Sequence, residues 1–387
     1  MRLLSTDDPM PFSSLGLSPA ILQILADQNF ITPTPIQETA IPAILNKKDV
    51  LGIAKTGSGK TAGYVLPLLM NMLERPVVKN RHAAVLVLVP TRELAEQVKD
   101  VFKTFSKALP QPIKTLAVYG GVSINPQMMA LQGVNILVAT PGRLLELVDS
   151  KSVHLSDIET LVLDEADKML NLGFKEEMNK ILALLPKKRQ NVLFSATLSK
   201  DIDNINQMLL HEPVVISIES AEASLDQINQ LAYIVSAEKK GPFLRQLIDQ
   251  RNMQQVLVFA SSVQQVDAVV HKLRKNNIDA RAIHSKKSQG SRTESLANFK
   301  SGKLRVLVAT DLMARGIDIA FLPFVINYEL PRSPKDYIHR IGRTGRAEAA
   351  GEAISLISNE ELHHFEVIQK KMGKQVELID YAAVTKM

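Results

Sequence analysis

Residues 54–61 read Ala-Lys-Thr-Gly-Ser-Gly-Lys-Thr, between an apolar run at 49–54 and an apolar-periodic stretch at 62–74. Glycines in such a loop let backbone N–H groups turn toward phosphate oxygens, and the N-terminus of the following helix adds positive potential. In this reading Thr56, Gly57, Ser58 and Gly59 cradle phosphates, Lys60 reaches the β- and γ-phosphates, and the Thr61 hydroxyl can ligate Mg²⁺. Further on, Asp164-Glu165-Ala166-Asp167 closes the run Leu161-Val162-Leu163. The carboxyl ends of strands are where layered α/β sheets present ligand-facing residues. One carboxylate there can hold the metal, and the next can orient and deprotonate an attacking water. The chemistry indicated is phosphoryl transfer to water.

A third cluster, His339-Arg340-Ile341-Gly342-Arg343-Thr344-Gly345-Arg346, carries three arginines and a histidine in eight positions. Arg343 and Arg346 are one i,i+3 step apart, so a helical backbone would set them on one face, suited to clamping a γ-phosphate whose charge redistributes during transfer. The second half of the chain has no phosphate loop of its own. The cluster therefore reads as a finger offered to the nucleotide of the first half.

The elements that must position these residues follow from pattern. Apolar, β-branched runs at 49–54, 84–90, 114–119, 135–140, 160–164 and 191–197 alternate with helix-like stretches such as 92–108 and 142–150. Runs without polar alternation are typical of parallel strands buried on both faces. The rhythm lapses around 217–227 and resumes at 229–235, 255–260, 305–310, 324–330 and 352–357, and the tail beyond 360 holds one more helix-like stretch. The expected organisation is α/β: an N-terminal domain at 1–217, a linker at 218–227 and a C-terminal domain at 228–387, each a mostly parallel sheet with helices on both faces.

Composition bounds the rest. The 387 residues are 45% hydrophobic and 22% charged, an ordinary globular balance. A net charge of +6 is compatible with a phosphate-rich partner without demanding one. With no Cys there is no disulfide scaffold, thiolate metal site or Cys nucleophile. Asp7 and Asp8 fall where an apolar signal core would continue, and no apolar run is long enough to span a membrane, which reads as cytoplasmic. Twelve Phe, six Tyr and no Trp argue against aromatic platforms for unstacked bases. His82, His211 and the pair His363-His364 are scattered without metal-ligand spacing.

From Phe12 to about Ser358 the string resembles the DEAD-box RNA helicases, superfamily 2 ATPases with two tandem RecA-like domains. Phe30 through Gln37 with Phe12 upstream, Pro90 through Ala95, Gly120-Gly121 with Gln127, Thr140 through Arg143, and Ser195-Ala196-Thr197 resemble first-domain motifs. Val258 through Ser262, Gln289 with Arg292, Ala309-Thr310-Asp311, Ala314 through Asp318 and the 339–346 cluster resemble second-domain motifs. Lys55 stands in place of the family's common Gln, Gly63 in place of its Ala and Asn29 in place of its Gly. The opening Phe-Ser-Ser-Leu-Gly-Leu-Ser-Pro is similar to the bacterial RhlE-like group, whose members are often tied to ribosome assembly and RNA decay.

The resemblance implies roles. ATP and Mg²⁺ would be the ligands, with Phe30 stacking on adenine, Gln37 reading its edge, and Gly316 and Asp318 completing the nucleotide site at the ribose. Thr61 and Asp164 would hold the metal, Glu165 the lytic water, and Arg343 and Arg346 the γ-phosphate. RNA would be held by its backbone through Arg92, Gly120, Gly121, Thr140, Arg143, Arg292 and Thr310. Asp167, Ser195, Thr197 and His339 would couple the two sites. An ATP-gated RNA clamp would use the same motifs, whereas a DNA translocase of the superfamily is disfavoured by the adenine motif together with Asp-Glu-Ala-Asp and Ser-Ala-Thr.

Overall fold

The structure is a computed structural model that describes residues 10–54, 57–73, 80–107, 109–197, 200–218, 228–311, 322–344 and 351–381. The chain divides into two compact units, Met1–Ser220 and Ala221–Met387. Of the expected linker, residues 219–227 lie outside the described residues.

In the first unit, helices α1 (Pro19–Asp27) and α2 (Pro35–Leu45) precede β1 (Val50–Ile53), α3 (Lys60–Leu73), β2 (Val85–Leu88), α4 (Arg92–Ser106), β3 (Thr115–Val118) and α5 (Asn125–Ala130). They are followed by β4 (Ile136–Ala139), α6 (Pro141–Asp149), β5 (Thr160–Leu163), α7 (Ala166–Asn171), α8 (Lys175–Leu184), β6 (Gln190–Ser195), α9 (Lys200–Leu209) and β7 (Val214–Ser217). The second unit runs β8 (Ile228–Ile234), α10 (Lys240–Gln250), β9 (Val256–Phe259), α11 (Val263–Lys275), β10 (Ala280–Ile283), α12 (Gln289–Lys300) and β11 (Val306–Ala309). It ends with β12 (Phe324–Asn327), α13 (Pro334–Ile341), β13 (Gly351–Ile357), α14 (Leu362–Met372) and β14 (Glu377–Asp380).

Every pairing is parallel, in the orders β3-β4-β2-β5-β6-β1-β7 and β10-β11-β9-β12-β13-β8-β14. Counted from the first strand of each unit, the two orders are the same. Strand periodicity divides the apolar residues between the faces of each sheet. Val85, Val87, Ile136, Val138 and Val162 enter one core of the first unit, while Leu86, Leu88, Leu137, Leu161 and Leu163 enter the core on the other face. Val256, Val258, Val306 and Val308 likewise oppose Leu257, Phe259 and Leu307 in the second unit. Helices cover both faces, so strands with no polar alternation are fully buried.

The strands missing from the sequence reading are β7, β10 and β14, and each is an edge of its sheet. β7 and β14 are largely exposed, and β10 is the mixed string Ala-Arg-Ala-Ile. Strands β10 and β14 lack the continuous apolar signal of a central strand, whereas β7, Val-Val-Ile-Ser, has a short one that runs straight into the polar stretch at 217–227. Among the described residues no helix is long and apolar enough to cross a membrane.

Two packing details fix the strand that feeds the phosphate loop. Gly52 pairs with Phe194 across β1 and β6, and a Cβ at Gly52 would lie 2.3 Å from the Phe194 ring, so β1 takes no side chain there. Just before β1, buried Asp49 accepts hydrogen bonds from the backbone N–H groups of Asn191 (2.7 Å) and His211 (2.9 Å), tying β1, β6 and the α9–β7 turn together. Asp49→Ala would leave both N–H groups without their acceptor at a cost of about 3 kcal/mol, since hydrogen bonds to a charged group and orphaned donors are each worth ~1–3 kcal/mol. The expected outcome in a thermal melt is a midpoint lowered by roughly 5–10 °C, with Asp49→Asn falling between; an unchanged midpoint would show that the carboxylate holds nothing.

Candidate functional site

Parallel strands put every carboxyl end at one edge of the sheet, and the first unit uses that edge in two halves. On β5, β6 and β1, which are neighbours, the chain continues into Asp164–Asp167, Ser195–Thr197 and the glycine loop. On β3, β4 and β2, also neighbours, it continues into Gly120-Gly121, Thr140–Arg143 and Thr91-Arg92.

In the glycine loop, Gly57 (φ 88°) and Gly59 (φ 91°) both have left-handed backbones that L side chains resist. A Cβ on Gly59 would lie 2.5 Å from Gln37 Nε2 and 2.7 Å from Thr34 Oγ1. Those two side chains hold the loop: Thr34 Oγ1 donates to Ser58 O at 2.8 Å and Gln37 Nε2 to Gly59 O at 3.0 Å. Gln37 Oε1 accepts the Thr34 N–H at 2.9 Å, so the amide is part of the α2 capping box and is 1% exposed. The residue expected to read a base is here a brace for the phosphate loop. Phe30, in contrast, is 39% exposed, with its ring edge-on to Phe105, while Phe12 is buried in the core with Ile36 and Tyr64.

Lys60 and Asp164 are buried close together in charge terms. Lys60 Nζ donates to Ala54 O, and burial pushes its ammonium pKa down against the pull of Asp164 and Glu165. Burial pushes the Asp164 carboxyl up to about 6, opposed by Lys60 and reinforced by Glu165. Tyr64 Oη donates to Asp164 Oδ2 at 3.0 Å. Glu165 has a left-handed backbone (φ 55°), a strained state for a non-glycine residue, and its Oε1 is ion-paired with Lys168 Nζ at 2.7 Å. Asp167 Oδ1 accepts the Ala196 N–H at 3.3 Å, and Ser195 Oγ donates to Thr197 O at 2.8 Å. The acidic loop is thus joined directly to the Ser-Ala-Thr loop.

The other half of the edge is similarly assembled. The Arg92 guanidinium lies against Gly121, where an added Cβ would come within 2.8 Å of it. Gln127 Oε1 accepts the Tyr119 N–H at 2.9 Å, and Arg143 Nη2 donates to Val122 O at 2.8 Å. Thr140 caps α6, and its N–H reaches Val118 O at 3.1 Å. Arg92, Gly120, Gly121, Thr140 and Arg143 therefore surround one loop, 119–123.

In the second unit Thr310 follows β11 and is partly exposed. Arg292 is 2% exposed on α12 and bonded to Gln289. Helix α13 ends at Ile341 with Gly342 as its cap, so Arg343 lies beyond the helix and the expected shared helical face is not formed there. His339 is partly buried near the end of α13. Thr56, Gly316, Asp318 and Arg346 lie outside the described residues.

Sequence reasoning missed Arg340. It is 2% exposed and forms a fork on Asp311 (2.5 and 2.7 Å), donates to Asn327 Oδ1 (3.1 Å) and Glu329 O (2.6 Å), and stacks over Phe259. The only signal was its place among three arginines, which gave no hint that this one points inward. Tyr64, Thr34 and Lys168 were missed for the same reason: their partners are distant in sequence or lie within a loop of unpredicted shape.

A P-loop nucleoside triphosphatase with two RecA-like sheets is the class these features define. Residues 34–205 match the family described as DEAD/DEAH box helicase, and 239–348 the helicase conserved C-terminal domain. The ATP-dependent RNA helicase DeaD of Buchnera aphidicola is 38% identical over 95% of this chain and 60% of its own length. The DEAD-box ATP-dependent RNA helicase CshA of Streptococcus pneumoniae is 38% identical over 97% of this chain and 71% of its own. Among solved structures, S. cerevisiae Dbp5 bound to RNA and ADP BeF3 superposes with a TM-score of 0.82 at 28% identity, over 97% of this chain and 98% of that one. A DEAD box protein from Methanococcus jannaschii gives 0.53 at 36% identity, over 96% and 99%. The chain belongs to the DEAD-box ATP-dependent RNA helicases, and is an enzyme of that class.

The residues present fit a nucleotide with its divalent cation. Ser58 Oγ and Asp164 Oδ1 are buried without a hydrogen-bond partner among the described residues, beside the Lys60 ammonium and the N-terminus of α3. Such orphans are costly unless a ligand satisfies them. Because the Asp164 pKa is raised on folding, its stabilising share is complete below pH 4 and lost as pH rises through about 6. In nucleotide-free protein, the stability of Asp164→Asn relative to wild type should therefore rise by roughly 1–2 kcal/mol between pH 5 and 7.5, as followed by denaturant melts. A relative stability that falls over that range would mean the carboxylate is held below its ordinary pKa.

Proposed function

We propose that this chain hydrolyses ATP in an RNA-stimulated manner in the cytoplasm and separates short RNA duplexes locally and non-processively. ATP binds in the interdomain cleft, and RNA is held by its backbone across both domains. The observation that carries this reading is the division of one sheet edge into a phosphate half, whose acidic and Ser-Ala-Thr loops are bonded through Asp167 and Ala196, and a guanidinium-lined half beside it.

In this scheme Lys60 neutralises the β- and γ-phosphates, and Thr61 and Asp164 hold Mg²⁺. When bound, the ion would offset charge on the transferred phosphoryl group. Glu165 accepts the proton of the attacking water, its orientation set by the Lys168 pair and by the strained turn. Arg343 and Arg346 stabilise the charge that develops in transfer, a contribution of the arginine-finger kind. Phe30 stacks on adenine. The Gln37 amide carries two donors and two acceptor lone pairs, so after serving Gly59 and Thr34 it keeps one of each for the adenine edge. Base recognition and loop geometry then share one side chain.

RNA is gripped at phosphates and 2′-hydroxyls by Arg92, Gly120, Gly121, Thr140, Arg143 and Thr310, with Arg292 acting from inside the second domain to shape that surface. Recognition of backbone geometry separates RNA from DNA without reading sequence. Closing two domains on ATP bends one strand where a duplex cannot follow, which opens a few pairs per cycle.

Steady-state ATPase assays test this. RNA should stimulate hydrolysis, and DNA of the same sequence should not. Glu165→Gln should retain ATP and RNA binding while nearly abolishing turnover. Equal stimulation by single-stranded DNA would favour a DNA translocase, and wild-type turnover in the variant would remove Glu165 as the base.

A further inference from the structure

Tyr64 is fully buried on α3, one helical turn after Thr61. Its ring sits 5.7 Å from that of Phe194 and 6.4 Å from that of Phe102. That accounts for an aromatic residue, and phenylalanine would serve as well. The hydroxyl is what needs explaining. It donates to Asp164 Oδ2 at 3.0 Å.

A phenol has one proton, and here it goes to the Asp164 carboxylate. Tyr64 thereby commits one carboxylate oxygen, Oδ2. What remains is the buried Asp164 Oδ1, which has no partner among the described residues. Hard divalent cations take oxygen acceptors of this kind.

We propose that Tyr64 is a positioning residue for the cation: its hydroxyl fixes the Asp164 carboxylate through Oδ2 so that Oδ1 is left for the ion. Without the phenol, the carboxylate is free to rotate. Outer partners of metal-binding side chains typically matter by about 10–100-fold in metal affinity. The inference rests on the functional reading above, in which Thr61 and Asp164 serve Mg²⁺.

Tyr64→Phe keeps the ring between Phe102 and Phe194 and removes only the hydroxyl. The test is calorimetric titration of ADP into the full chain, once with Mg²⁺ and once with EDTA, for wild type and variant. The wild type should bind ADP more tightly with Mg²⁺. In the variant the affinity in EDTA should stay within about twofold, while the gain from Mg²⁺ falls by about tenfold. An equal gain from Mg²⁺ in both proteins would overturn the role of Tyr64, and so would affinities that weaken by the same factor with and without the ion, since that is loss of packing alone. A wild type that binds no ADP, or gains nothing from Mg²⁺, would instead overturn the functional reading itself.

Discussion

Parallel pairing is the constraint on which everything else in each unit depends. A parallel strand must be reached by a crossover, so successive strands all run the same way and all their carboxyl ends emerge at one edge. The loops there are free to vary because the strands beneath them are locked by two apolar cores, Val on one face and Leu on the other. The order β3-β4-β2-β5-β6-β1 then sorts the loops without further help. Loops that follow the left three strands carry Arg92, Gly121 and Arg143, and those that follow the right three carry the phosphate loop, the acidic loop and Ser195–Thr197. The second unit repeats the order, so Thr310, directly after β11, holds the place that Thr140 holds after β4.

What the edge holds would be expensive anywhere else. Lys60, Asp164, Glu165 and Asp167 are all buried within one corner of the first unit. Buried charges are tolerated when partners satisfy them, and removing one partner is far more damaging than replacing the whole set. Tyr64 for Asp164, Lys168 for Glu165, the Ala196 N–H for Asp167 and the Ala54 carbonyl for Lys60 are those partners in the first unit, as Asp311, Asn327 and Glu329 are for Arg340 in the second. The Asp164 carboxyl held near 6 and the left-handed backbone at Glu165 are costs carried by the surrounding structure. They are concentrated where the proposed chemistry lies.

Much of this was legible in the sequence because central strands and phosphate loops have strong local signatures. Eleven of the runs read as strands lie in the sheets, since a strand buried on both faces cannot hide its apolar residues. Strands β14 and β10 were invisible for the converse reason: three of the four β14 side chains are exposed, and Ala280-Arg281-Ala282-Ile283 resembles any loop. Residue types at the site were readable and their pairings were not. That Gln37 braces Gly59 and that Arg292 is buried against Gln289 cannot be told from residue type. A string of arginines at 339–346 gave no means of telling inward Arg340 from Arg343. Contacts across a hundred residues, such as Tyr64 to Asp164, depend on sheet order, which periodicity alone does not determine.

The central claim is that the two halves of the first unit's edge act as one device. Hydrogen exchange on the full chain tests it most directly, with RNA alone, with ADP and beryllium fluoride alone, and with both. The account predicts that segments 119–123 and 140–143 are weakly protected by RNA alone and strongly protected when nucleotide is also present. It predicts that 164–167 and 195–197 gain protection together, because Asp167 bonds to Ala196. Protection of 119–143 that is the same with and without nucleotide, with nucleotide effects confined to 57–61, would contradict it.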